Sequence, residues 1–156
     1  MSNLEHAITI ATAVHADQYD KAGASYISHP LRVMSKFTSE DEQIVAVLHD
    51  VIEDSNWTLD GLRQEGFAEE IVAAINSLTR QDYENYDDFI HRAAANPIGR
   101  KVKLADLLDN CDLSRISIPT ERDYARLKKY RRAIELIEWL SHSSCATMPD
   151  LMRHTH

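Results

Sequence analysis

The stretch Ile44-Val45-Ala46-Val47-Leu48-His49-Asp50-Val51-Ile52-Glu53-Asp54 decides the fold. Its first five residues are apolar and leave no polar face, whatever period is laid over them. Ser39 and Glu42 stand just ahead of it in the spacing of a capping box, so the run predicts a central, largely buried helix. Ionisable residues then follow where a buried helix would continue apolar. Glu53 and Asp54 lie three and four residues after Asp50, and Glu53 lies four after His49. That spacing puts all four on neighbouring sectors of one helix. Three carboxylates on one turn repel each other and are costly to bury unpaired. A bound cation resolves both problems; a solvated helix end with a capping role is the plainer reading of the same residues.

Outward from this segment, apolar residues recur at three and four, and strict alternation is hard to find. Leu4, Ala7, Ile8, Ala11 and Val14 make a helical stripe, and 18–28, with Gly23 inside, reads as a loop. His29-Pro30 opens a short helix, because a proline in the first turn gives up an N–H that would be unpaired there. Further helices are predicted over 59–66, 68–78, 86–95 and 98–116. Thr120 and Asp123 form a second capping box for a long last helix ending near Leu140. The stretch 141–156, with Pro149, shows no period and reads as a flexible tail in which Leu151 and Met152 touch the body. The expectation is an all-α bundle of about eight helices, a single domain over residues 1–140.

Composition sets the outer limits. The 156 residues carry 25 acidic and 17 basic side chains, a net charge of −8. An acidic balance argues against bulk nucleic-acid binding, which draws its affinity from a basic footprint. No apolar run approaches the ~18 residues of a membrane span, and Met1-Ser2-Asn3-Leu4-Glu5 is not a signal peptide. Cys111 and Cys145 make no disulfide framework, so a reducing cytoplasmic setting fits.

A second ionisable cluster lies in Val102-Lys103-Leu104-Ala105-Asp106-Leu107-Leu108-Asp109-Asn110, followed by Asp112. Asp106, flanked by apolar residues, should face inward, and Asn110 shares its face one turn later. A buried aspartate wants a cation, an arginine or several N–H donors. Asp109 and Asp112 are expected to face solvent. His29 is a third element; a lone histidine is commonly structural. With His49, Asp50 and Asp106 it completes two imidazoles and two carboxylates, a set suited to Mn²⁺, Fe²⁺, Ni²⁺ or Zn²⁺.

The order His29, His49-Asp50, Asp106 resembles the HD-domain metal-dependent phosphohydrolases. More narrowly, three stretches resemble the hydrolase domain of the RelA/SpoT family. They are His15-Ala16-Asp17-Gln18 through Lys21, Gly23, Tyr26-Ile27 and His29-Pro30; Leu48 to Asp54; and Val102 to Asp106. The likeness runs from about residue 4 to residue 140. It is strongest to the stand-alone small alarmone hydrolases, since 156 residues leave no room for synthetase and regulatory domains. The resemblance implies one metal ion, usually Mn²⁺, on His29, His49, Asp50 and Asp106, with Glu53 and Asp54 as the catalytic acidic pair. Asn110 matches a position near metal and ribose, and Tyr26 falls within the first matching loop. The implied reaction removes pyrophosphate from the ribose 3′ position of guanosine tetra- or pentaphosphate.

One position departs from the family. Alarmone-hydrolysing members carry arginine then lysine in the first loop, the arginine lying against guanine; here the pair is Asp20-Lys21. Lys21 attracts phosphate, whereas Asp20 cannot stack as a planar cation and repels anions. Another nucleotide, such as NADPH or a nucleoside monophosphate, and a non-catalytic nucleotide-binding module are therefore carried as alternatives. Lys21, Tyr26, Arg80 and Asn110 are the candidate substrate-side residues. Arg126, Lys128, Lys129, Arg131 and Arg132 read first as a solvated helix face, with one or two within reach of substrate. His6 and His15 read as structural, and Trp57 and Trp139 as core or interface aromatics. An apolar patch on the last helix leaves room for a homodimer.

Overall fold

A computed structural model describes residues 3–146, with side chains through 142. The expected contacts of Leu151 and Met152 lie outside the described residues, as do His154, His156 and the side chain of Cys145. The described chain is helical: α1 (Leu4–Val14), α2 (Ser28–Met34), α3 (Glu40–Leu48), α4 (Val51–Asp54), α5 (Leu59–Gln64), α6 (Glu69–Ser77), α7 (Tyr86–Ala95), α8 (Pro97–Asn110) and α9 (Glu121–Ala146), with a 3-10 turn at Leu113–Arg115. None of its helices is long and apolar enough to cross a membrane.

Side-chain caps set several of these starts. Asn3 accepts from the His6 N–H, Thr58 from Gly61 and Asn85 from Asp88. Asn96 accepts from the Ile98 and Gly99 N–H groups ahead of α8, with Pro97 in the first turn. Thr120 donates its N–H and hydroxyl to Asp123 at 2.7 and 3.0 Å, which is the carboxylate half of the box its spacing predicts. The other predicted box does not form. Ser39 makes no side-chain cap bond, and Glu42 instead meets Lys101 at 3.3 Å.

The central helix is α3. Ile44 to Leu48 are all buried, and α3 packs against α1, α2, α6 and α8. Fully burying a Val, Leu or Ile side chain stabilises by ~1.5–3 kcal/mol, so this strip anchors the domain. A smaller apolar cluster of Ile90, Ala94, Leu107, Ala133 and Ile137 joins α7, α8 and α9.

Three element boundaries differ from the sequence reading. The single helix expected through Asp54 is broken at His49 and Asp50, giving nine helices among the described residues where about eight were expected. His49 donates its Nδ1–H to the Ala46 carbonyl, an acceptor the next helical turn would otherwise use. Second, α8 ends at Asn110 rather than Ile116, because Asp112 turns extended and caps the Ser114 N–H at 2.9 Å. Third, α9 continues past Leu140 to Ala146, with Ser141 bonded back to the Ile137 carbonyl. The first six residues of the expected tail are thus helical. Trp57 packs on the core, whereas Trp139 is exposed.

Candidate metal centre and active site

The break after α3 points His49 and Asp50 the same way, towards α2 and α8. His49 is buried, and its Nε2 has no hydrogen-bond partner although Asp50 Oδ2 lies 3.1 Å and Asp106 Oδ1 3.4 Å away. His29, near the start of α2, presents Nε2 at 2.8 Å from Asp106 Oδ1. His29, His49 and Asp50 each offer a ligand atom within 4.8 Å of the others. Three of the predicted ligands thus form one group, and Asp106 Oδ1 lies beside it, 2.8 Å from His29 Nε2 and 3.4 Å from His49 Nε2.

The partner of each imidazole Nδ1 fixes the tautomer that the heavy-atom geometry allows. Asp109 Oδ2 lies 2.6 Å from His29 Nδ1, and a carboxylate only accepts, so Nδ1 carries the hydrogen. The same logic applies to His49 Nδ1 against the Ala46 carbonyl at 2.6 Å. In the neutral imidazoles both Nε2 atoms are then lone pairs aimed at carboxylate oxygens. Acceptors so arranged need a positive charge between them. Burial opposes charging the imidazoles, yet Asp106 and Asp109 raise the His29 pKa, and Asp50 and Asp106 raise that of His49 well above normal. Burial likewise works against the Asp50 carboxylate, but His49 holds it down to about 2. Two nitrogens, two oxygens and no thiolate fit a divalent transition-metal ion at this point.

A supporting layer fixes the ligands. Asp109 was expected to face solvent; instead it is buried, with Arg32 donating to both its oxygens at 2.9 and 3.0 Å. Asp109 lies three residues after Asp106 on α8 and so shares its inward face, and Arg32 lies three after His29 on α2. Lys103, nearly buried, donates to Asp106 Oδ2 at 2.9 Å and leaves Oδ1 turned to the imidazoles. Asn110 donates to Asp106 Oδ1 at 3.2 Å. Tyr26, predicted on the substrate side, donates its hydroxyl to Asp50 Oδ2 at 2.6 Å and is also one of the cavity's lining residues. Asp112 is exposed, as expected.

Glu53 and Asp54 follow on α4. Glu53 Oε1 accepts the Arg80 backbone N–H at 2.6 Å, and Gln18 donates to the Asp54 carbonyl at 3.4 Å. Desolvation, then the neighbouring Asp50 charge, raise the pKa of both carboxyls against the pull of nearby cationic groups and, at Glu53, the Arg80 N–H. A carboxylate made more basic is suited to taking a proton from water. The Arg80 guanidinium lies over the Tyr86 ring, 5.9 Å from its centroid, so Arg80 reaches the site through its backbone rather than as a cavity cation. His15 is fully buried behind the pair, 2.7 Å from Gln18 Oε1 and 4.0 Å from Asp54 Oδ2.

Beside the ligands opens a cavity of about 330 Å³. Its walls are the first loop (Tyr19, Asp20, Lys21, Ala22), Tyr26, Asn110, the segment after α8 (Asp112, Leu113, Arg115, Ile116) and the start of α9 (Asp123, Arg126, Tyr130). Of the basic residues on α9, Arg126 lines this cavity, held at 2.6 Å by Asp123; Lys128, Lys129 and Arg132 line a separate cleft beside Tyr86. Arg32 escaped the sequence reading, and Asp109 was assigned to solvent. Their signal was the three-residue step from Asp106 and from His29.

No family model matches the chain. In fold, the chain belongs with the solved structure described as a metazoan ortholog of SpoT that hydrolyzes ppGpp and plays a role in starvation responses. The TM-score is 0.69 at 20% identity, covering 84% of this chain and 82% of that one. In sequence it resembles RelA/SpoT proteins more narrowly, as its motifs imply. It is 30% identical, over 91% of its length, to a probable GTP pyrophosphokinase of Mycobacterium leprae. It is 28% identical, over 89%, to a guanosine-3′,5′-bis(diphosphate) 3′-pyrophosphohydrolase of Aquifex aeolicus. The chain spans about a fifth of the length of these curated relatives.

Proposed function

We propose that this chain is a metal-dependent pyrophosphohydrolase that removes the 3′-diphosphate of guanosine 3′,5′-bis(diphosphate). The observation that carries the reading is the pair of imidazole Nε2 atoms turned onto Asp50 and Asp106, with Glu53 and Asp54 one helical turn further along. His29, His49, Asp50 and Asp106 would hold a divalent ion, Mn²⁺ in this proposal, which when bound would polarise phosphoryl oxygens and make water more acidic.

The protein's own groups do the rest. Glu53 or Asp54 accepts the proton of the attacking water, which adds to the phosphorus bonded to O3′. That P–O3′ bond breaks, the proton passes to O3′, and the products are pyrophosphate and the nucleoside 5′-diphosphate. Lys21 faces the substrate phosphates; burial and Arg126 lower its pKa, against the pull of Asp123. Tyr26 and Lys103 keep Asp50 and Asp106 in place while charge moves. The basic acid pair supports an enzyme over a binding module. All four ligands come from one chain, so a homodimer is not required by the site. The reading places the activity in the cytosol, on a small nucleotide rather than on nucleic acid or membrane.

The test is a Mn²⁺-supplemented assay that follows pyrophosphate and orthophosphate separately. The proposal expects pyrophosphate from guanosine 3′,5′-bis(diphosphate), loss on chelation, and loss in Asp106→Ala. Glu53→Gln should lower kcat by about 10²–10⁴-fold while leaving metal binding intact. Orthophosphate release from NADPH or a monophosphate, without pyrophosphate release, would refute it.

A further inference from the structure

The cavity wall carries several carboxylates, and most of their oxygens are engaged. Asp123 Oδ1 accepts from Arg126 and Oδ2 from Thr120; Asp112 Oδ1 accepts from Ser114 and Oδ2 from Arg115. Asp20 differs. Its Oδ1 accepts the N–H groups of Ala22 and Ala24, both at 2.9 Å, and so closes the first loop around Gly23, which sits at φ 85°. Its Oδ2 has no hydrogen-bond or ion-pair partner among the described residues. Asp20 is only partly exposed and lines the cavity. It is thus a rigidly mounted carboxylate oxygen, next in sequence to Lys21, with apolar wall supplied by Ala22, Leu113 and Ile116.

A nucleotide whose phosphates lie against the metal ligands, beside Tyr26 and Asn110, must lay its base along the remaining wall. A carboxylate oxygen there rewards a base edge that presents N–H donors and repels one that presents a ring lone pair. Guanine offers adjacent donors, the ring N1–H and the 2-amino group. Adenine offers an acceptor at N1. We infer that Asp20 is a specificity-determining residue that reads the donor edge of guanine and selects it over adenine. This deepens the hydrolase reading and rests on it for placing the phosphates. It also gives the acidic residue at this position a role other than repelling anions.

Asp20→Asn isolates the effect, because asparagine keeps an Oδ1 acceptor for Ala22 and Ala24 while turning Oδ2 into a donor. The full chain, wild type and variant, is assayed with Mn²⁺ on the 3′,5′-bis(diphosphates) of guanosine, inosine and adenosine. In parallel, calorimetry measures binding of GDP, IDP and ADP. Thermal melts check that the variant is folded. Hydrogen bonds to a charged group contribute ~1.5–3 kcal/mol, so the guanosine kcat/KM should fall about ten- to a hundredfold in the variant. The adenosine value should hold or rise, inosine should fall between, and GDP should lose its preference over ADP. An equal loss on all three bases, an unchanged base preference in binding, or a wild type that prefers adenine would overturn the assignment. A wild type that cleaves none of the substrates, yet binds GDP over ADP through Asp20, would sink the hydrolase reading and leave this inference standing.

Discussion

At Asp109 one carboxylate holds a predicted metal ligand with one oxygen and is itself clamped by an arginine. His29 Nδ1 lies 2.6 Å from Oδ2, and Arg32 engages both oxygens. Such partners orient a ligand imidazole and raise its basicity, and their loss typically weakens metal binding by about 10–100-fold. Asp109→Asn should therefore weaken Mn²⁺ binding by about that factor, measured by calorimetry, while helix content by circular dichroism stays unchanged. An unaltered affinity would show that His29 needs no help. Asp50 and Asp106 were legible as candidates because each is an ionisable residue next to an apolar run, whereas His29 entered the set only through the order of motifs. Asp109 was legible in its step of three from Asp106. Its burial was not, since that depends on Arg32, 77 residues away.

At the scale of elements, the clamp between α6 and α7 positions Glu53 of the acid pair. Arg92 on α7 donates to Glu84 and to the carbonyls of Asn76 and Thr79, which fixes the segment whose Arg80 N–H holds Glu53. The hydrogen bond from Arg92 holds the Glu84 carboxyl down to about 2, below its ordinary 4.5. The folded value lies below the unfolded one. The stabilisation is therefore full above the ordinary value and fades as pH falls from there towards 2. Urea midpoints of wild type and Glu84→Gln should differ at neutral pH and converge on acidification towards 3; a constant gap would contradict this. Helix number and order were largely legible from periodicity. The break at His49 was not, because it hangs on one side chain bonding the Ala46 carbonyl, which no apolar pattern encodes. The capping pattern at Ser39 failed for a related reason, Glu42 being drawn off to Lys101 on α8.

For the whole molecule, a net charge of −8 makes the approach of a polyphosphate unfavourable unless positive charge is concentrated locally. Lys21, Arg115 and Arg126 line the cavity, but the two arginines are paired with Asp112 and Asp123. On the proposed reading, most of the attraction comes from an ion held between the Nε2 atoms of His29 and His49 and the carboxylates beside them. Fold, electrostatics and chemistry meet at that one point. The decisive measurement is an anomalous difference map at the manganese edge, from crystals of the full chain grown with Mn²⁺. One strong peak within coordinating distance of His29 Nε2, His49 Nε2 and oxygens of Asp50 and Asp106 is the predicted result. No peak among these four side chains under saturating Mn²⁺, or a peak elsewhere on the surface, would contradict it.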